Sequence, residues 1–245
     1  MTSVLIIGAT SCIAEHCSKI WSSRGYKLYL VGRNEERTRS IELDLKVRGA
    51  TKVSSYISDL NNFSKHSEIL HNAEKFLEEI DIVFIAHGTL PIQKKCENSI
   101  QNTLNELNTN AISTISFLTL VANLFEIKKH GTIAVVSSVA GDRGRATNYI
   151  YGSSKAMVTE FLSGLRQRLY KSNVKVITIK PGFVDTPMTS HFKKGLLWSK
   201  PNKVAFKIVK CIDKQKEVVY VPNFWFFIMM IIKSIPNFIF KRLQL

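Results

Sequence analysis

SVLIIGATSCIA, residues 3–14, runs apolar and β-branched up to Gly8 and then turns small and polar. The first part reads as a strand, and residues 13–24 behind it recur at helical spacing, so a strand, a turn and a helix follow one another. The same alternation continues along the chain. Strand-like runs KLYLVG (27–32), KVSSYI (52–57), DIVFIAHG (81–88), GTIAVVSS (131–138), VKVITIKPG (174–182) and EVVYVP (217–222) are separated by helical segments at 35–48, 64–79, 99–125 and 148–170. Seven strands with long crossovers predict an α/β chain with a parallel, doubly wound sheet and helices on both faces, because parallel neighbours cannot be joined by tight turns.

Ligands of such sheets bind beyond the carboxyl ends of the strands. Gly8, Arg33, Asp59, Gly88, Ser138 and the Pro181–Gly182 pair each follow a different strand, so they converge on one crevice. GATSCIA stands where a dinucleotide site places a glycine-rich turn at a helix N-terminus. Only Gly8 is glycine, and Cys12 and Ala14 hold the later small positions. After the second strand, Gly32 offers no carboxylate for ribose hydroxyls, whereas Arg33 offers a planar fork to a 2′-phosphate. NADP(H) is favoured and NAD(H) stays open.

In YIYGSSKAM, residues 149–157, Tyr151 stands four residues before Lys155 and Tyr149 six, so only Tyr151 shares its helix face. A tyrosine with an ordinary pKa near ~10 needs a cation or a donor beside it to exchange protons at neutral pH. Lys155 supplies the charge, and Ser138 is placed to hold a substrate oxygen. The chemistry implied is reversible reduction of a ketone to an alcohol, with Tyr151 giving the proton while hydride reaches carbon.

GATSCIA, Asp59 in SDL, AHG at Ala86–His87–Gly88, Asn110 in NTNA, Ser138 in SSVAG, Tyr151 with Lys155 and KPGFVDTPM follow in order over about residues 3–190. In this the chain resembles the short-chain dehydrogenase/reductase family, whose fold is the Rossmann type. That resemblance implies a catalytic set of Ser138, Tyr151, Lys155 and Asn110, with Asn110 holding a water that links Lys155 to solvent. It implies cofactor contacts at Gly8, Ser11, Cys12, Ile13, Arg33, Asp59, Leu60, Ala86, His87, Gly88, Tyr151, Lys155, Pro181, Gly182, Val184 and Thr186, with Asp59 at the adenine and Thr186 at the carboxamide. His87 stands where the family has Asn and is expected to shape the nicotinamide side rather than act as acid or base.

The net charge is +15, and from Ser190 onward eleven basic residues face two acids, Asp213 and Glu217. The basic quarter is also the most apolar, ending in NFWFFIMMIIKSIPNFIFKRLQL. Its longest apolar run, residues 224–232, is too short to span a bilayer, which takes about 20 residues. The tail is read as two short helices lying at a membrane surface or lining access for an apolar substrate, with packing in a core or dimer interface as the alternative. SSVAGDRGRATNYIYGSSKA, KPGFVDTPMT, FKKGLLWSK and the basic apolar ending are similar to the decaprenylphosphoryl 2-keto-arabinofuranose reductases of the same family. By that narrower resemblance the substrate is a lipid-linked keto-sugar of cell-envelope glycan synthesis, and Arg143 and Arg145 would join Ser138 and Tyr151 in meeting it.

The four cysteines show no metal spacing, no metal site is expected, and they point to a reduced, cytoplasmic setting, peripheral on the inner face of the membrane if the tail docks there. The N-terminus lacks a basic region ahead of its apolar run and is not expected to be a signal or an anchor. Residues 1–222 are expected to form one catalytic domain, residues 223–245 an extension, and the family resemblance implies a homo-oligomer. Reduction of acyl, steroid or other apolar ketones is the alternative activity. A non-catalytic membrane or nucleic-acid-binding scaffold ranks below both, and no nucleic acid is expected because the charge is interleaved with apolar runs.

Overall fold

The computed structural model describes residues 1–243. Each of the seven expected runs forms one strand: β1 (Ser3–Ile7), β2 (Lys27–Gly32), β3 (Lys52–Ile57), β4 (Ile82–Ile85), β5 (Thr132–Val136), β6 (Lys175–Pro181) and β7 (Val218–Val221). They pair in parallel in the order β3-β2-β1-β4-β5-β6-β7. β1 lies inside the sheet and the chain winds outward from it in both directions. Between β1 and β4 the winding reverses, which opens a crevice above the carboxyl ends.

The inner strands β1, β2 and β4 are buried and almost wholly apolar because both faces are covered, whereas the edge strand β3 keeps Ser54 and Ser55 half-buried. Val4 and Ile6 of β1 join a core with Trp21, Phe84 and Ile208, while Leu5 and Ile7 join another with Phe117, Phe125 and Leu162. Helices α1 (Cys12–Ser23) and α2 (Glu35–Val47) contribute to the first layer, and α3 (His66–Leu77) to the second. α2 starts where Asn34 Oδ1 accepts a hydrogen bond from the Arg37 N–H at 2.8 Å.

The segment expected as one helix over 99–125 differs. A short helix α4 (Gln93–Glu97) precedes it, and α5 (Ile100–Leu107) and α6 (Ser113–Lys128) are joined by a π turn at Asn108–Ile112. The buried Asn110 side chain is the local reason: its Nδ2 donates to the Glu106 carbonyl four residues back, at 3.1 Å, and competes with regular helix bonding. The stretch Ile100–Lys128 is long and apolar enough to cross a membrane by length and composition, but half of its most apolar window is buried. Phe117, Val121 and Phe125 of α6 sit in the core of this fold.

α7 (Tyr149–Leu169) covers the β5 side. A further helix, α8 (Pro201–Asp213), supplies the crossover from β6 to β7 that the sequence reading did not identify. Its Val204, Ala205, Ile208, Val209 and Ile212 are buried in the first layer at helical spacing, behind a conspicuous row of lysines. The tail forms a helix pair, α9 (Phe224–Ser234) and α10 (Asn237–Phe240); the last two residues of the expected 223–245 extension lie outside the described residues. Trp225 and Met229 of α9 are buried against Val139.

Candidate active site

The crevice begins at the end of β1. Gly8 has φ +79°, and a Cβ there would stand 2.6 Å from His87 Cα, so the first turn can lie against the β4 turn only as glycine. α1 follows with Ser11 as its N-cap, whose side chain makes no capping bond. The N-terminal N–H groups that a helix leaves open are therefore not closed by this side chain and suit an anion. Cys12 and Ile13 follow on the crevice wall, where burial pushes the Cys12 thiol above its ordinary pKa.

Thr10, Ser11, Gly32, Arg33, Arg37, Ser58, Asp59, Leu60 and Asn61 surround the far half of the crevice. A Cβ at Gly32 would stand 2.4 Å from Thr38 Oγ1, so a side chain at the end of β2 would have to displace that hydroxyl. Arg33 and Arg37 bring two guanidinium groups to this end. Asp59 Oδ1 accepts from the Asn61 N–H at 2.9 Å, which fixes the loop after β3. A turn that only glycine can make, an open helix N-terminus and paired arginines fit a dinucleotide carrying phosphates. Arg37, Thr10 and Asn61 were not singled out in the sequence; Arg37 had a signal, since the helix start at Asn34 places it one turn after Arg33.

The near half holds Ala86, His87, Gly88, Asn110, Ser138, Tyr151, Lys155, Pro181, Gly182, Val184 and Thr186 around one cleft. Ser138 lies two residues beyond β5 and caps a short turn, its Oγ accepting from the Ala140 N–H at 3.1 Å, and it shares the cleft wall with Tyr151. This turn lies directly on α7: a Cβ at Gly141 would stand 2.7 Å from the Ala156 nitrogen. Lys155 is buried, with Nζ donating to the Val136 carbonyl at 3.3 Å and lying 5.7 Å from the Tyr151 ring centre. Burial lowers the Lys155 ammonium to about 8. Burial also raises the Tyr151 phenol, against a downward pull from the neighbouring Ser138 hydroxyl. Tyr149 is exposed and is not part of the cleft wall.

Asn110 is held on both sides of its amide. Its Oδ1 accepts from the Thr89 N–H at 2.8 Å, and its Nδ2 donates to Thr89 Oγ1 at 3.0 Å and Glu106 Oε2 at 3.1 Å. Thr89 and Glu106 have no local motif and could not be found from the chain alone. His87 Nε2 lies 2.8 Å from Ser113 Oγ and 3.3 Å from Thr114 Oγ1, and the Ser113 hydroxyl donates to the Thr109 carbonyl at 2.9 Å. Burial first, and then the Lys155 charge, lower His87 to about 3, so the ring is neutral at physiological pH.

The two loop arginines part company. Arg145 is on the cleft wall with Asn148, Phe183, Phe192, Lys193 and Trp198. Its Nε is buried without a hydrogen-bond partner, and burial lowers its pKa. Arg143 points instead to the tail. Its Nη1 donates to the carbonyls of Ile232 at 2.5 Å and Ile235 at 2.6 Å, its Nη2 donates to Asn237 Oδ1 at 3.0 Å, and the guanidinium stacks 3.7 Å from the centre of the Phe240 ring. These bonds satisfy carbonyls at the end of α9. A phosphate-meeting role was expected for both arginines; in this structure Arg143 is bound to the tail and only Arg145 reaches the cleft. Beside Arg143, the buried Asp142 carboxylate accepts from Lys180 Nζ at 2.5 Å and from the Tyr220 hydroxyl at 2.7 Å.

Comparison with known proteins agrees with this layout. The sequence profile of the short chain dehydrogenases matches residues 2–196. An uncharacterized oxidoreductase of Mycobacterium tuberculosis is 27% identical over 240 residues, 98% of this chain and 96% of that protein. One of Streptomyces coelicolor is 28% identical over 242 residues, 98% of this chain and 95% of its own. One of Staphylococcus epidermidis is 31% identical over 185 residues, 76% of this chain and 79% of its own. Enzymes of this family use NAD(H) or NADP(H) and act on small-molecule substrates. With the profile spanning most of its length and the sheet wound as described, the chain belongs to the short chain dehydrogenase family of oxidoreductases.

Proposed function

We propose that the protein is an NADPH-dependent ketone reductase acting on an anionic, apolar-tailed substrate. The observation that carries the reading is the gathering of Ser138, Tyr151 and a buried Lys155 on the wall of one cleft that is continuous with the phosphate-fitting crevice. When bound, the nicotinamide supplies hydride to the carbonyl carbon. Ser138 donates to the carbonyl oxygen and holds it beside Tyr151. Tyr151 gives its hydroxyl proton to that oxygen as the alkoxide develops, and the charged Lys155 stabilises the phenolate left behind. Asn110, held by Thr89 and Glu106, positions a water that returns a proton toward Lys155.

The preference for NADPH rests on Arg33 and Arg37 at the end of β2 and on Gly32, which brings no carboxylate to the ribose. The substrate reading rests on the cleft wall, where Arg145 and Lys193 offer charge and Phe183, Phe192 and Trp198 an apolar surface. A keto-sugar on polyprenyl phosphate, within cell-envelope glycan synthesis, joins these properties. The aromatic wall by itself also suits acyl or steroid ketones, which is the second reading. All four cysteines are free, in keeping with a reducing compartment.

The test is cofactor absorbance against a polyprenylphosphoryl 2-keto-pentose, with NADPH and NADH in parallel. Tyr151→Phe is expected to lose nearly all turnover while still binding cofactor; turnover within a few-fold of the unsubstituted enzyme would remove Tyr151 as the acid. Arg145→Ala is expected to raise KM for the phosphorylated substrate and to leave an uncharged ketone unaffected. Turnover on apolar ketones alone, insensitive to Arg145, would favour the second reading.

A further inference from the structure

α9 has two unlike faces. Trp225 and Met229 are 2% and 1% exposed against Val139, whereas Phe227 and Ile231 on the other face are 60% and 63% exposed. Phe226, Met230 and, on α10, Phe238 and Ile239 extend the open apolar surface. The packing that fixes the inner face, together with the Arg143 bonds to the end of α9, holds the outer face rigidly outward.

Beside this face runs a groove between α8 and α9, lined by Lys207, Lys210, Lys214 and Lys216 together with Phe226 and Phe227. All four lysines line this one groove around Cys211, so they form a single cluster. Among the described residues none of the four is paired with an acidic side chain. Asp213, the only acid on α8, is taken by Arg24 at 3.0 Å. Lys233, Lys241 and Arg242 stand on the tail itself.

We propose that the outer face of α9 and α10, with the α8 lysines, is a docking surface for an anionic lipid bilayer. The apolar run of α9 is nine residues, and about 20 are needed to span, so the helix lies in the interface plane with its aromatic side chains among the lipids. The lysines flank that plane and meet the negative headgroups. The charge selects this occupant over a second copy of the chain. A two-fold interface brings the same patch from each copy together, and the groove lining, with four lysines and no acid, offers nothing to offset the combined positive charge. The surface lies outside the cleft, and its docking does not depend on what Tyr151 does.

The test is flotation of the full chain with vesicles of phosphatidylcholine alone and of equal parts phosphatidylcholine and phosphatidylglycerol, a measurement that needs no turnover. Recovery is expected with the anionic vesicles only, and loss in high salt. Lys207→Glu/Lys210→Glu/Lys214→Glu is expected to lower partitioning at least tenfold, and Phe227→Ser/Ile231→Ser to lower it similarly, with unchanged circular dichroism and melting. If the charge reversal harms folding, Gln at the same three positions serves in its place. No flotation of the folded chain, or equal flotation on both vesicles, overturns the proposal. A dimer in solution that Phe227→Ser/Ile231→Ser makes monomeric, with no lipid binding, would assign the face to a second copy and overturn it as well.

Discussion

Burial acts in opposite senses on Tyr151 and Lys155, raising the phenol and lowering the ammonium, so each disfavours its own charged form. Because the Lys155 pKa is lowered to about 8, its charge is present below that pH and lost above it. Ketone reduction is therefore expected to fall as pH rises through about 8, since the developing Tyr151 phenolate loses its neighbouring cation. Lys155→Gln should lower turnover and remove this limb; a flat profile up to the ordinary lysine range would overturn the assignment. His87 adds no limb near neutrality, because its ring is already neutral there. At this scale the helix period made Tyr151 and Lys155 legible and set Tyr149 aside. Arg143 and Arg145 were not separable in the same way: both lie in a loop, where no period tells which side chain turns inward.

The tail meets the catalytic machinery through the turn after β6 as well as through Arg143. A Cβ at Gly182 would stand 1.9 Å from Trp225 Nε1, and Trp225 also packs edge-on against Phe183 of the cleft wall. Gly182→Ala is expected to displace the indole and loosen α9, at a cost of about 1–3 kcal/mol, the range of an overpacked core. Indole emission and melting temperature would report it, and Gly182→Ala/Trp225→Leu should recover part of the loss. Unchanged emission and melting would mean that α9 does not depend on this contact. The seven strands were legible as apolar runs, yet two features between them were not. The π turn comes from a side chain returning to its own helix at Asn110, which no periodicity records. In α8 the buried positions are interleaved with Lys203, Lys207 and Lys210, which breaks the apolar run that marks the other elements.

Across the whole molecule, the crevice takes Arg33 and Arg37 from one side of the reversal between β1 and β4, and Tyr151 and Lys155 from the other. A dinucleotide spanning it binds only the folded arrangement, so it stabilises the chain by about 2.7 kcal/mol at a hundredfold excess over Kd. Melting is expected to rise by several degrees, more with NADPH than with NADH at equal concentration. Arg33→Ala/Arg37→Ala should erase the difference while NADH keeps its effect; equal shifts in the unsubstituted protein would overturn the NADPH preference. The doubly wound sheet was legible because burial on both faces leaves the inner strands predominantly apolar, whereas the buried Asp142–Lys180–Tyr220 cluster joins residues far apart in sequence and has no signature within it. The parallel sheet also has a practical side. Met1 is exposed just before β1, at the amino ends of the strands and across the sheet from the crevice. A probe attached at this edge would stand at the opposite ends of the strands from the crevice and leave it free.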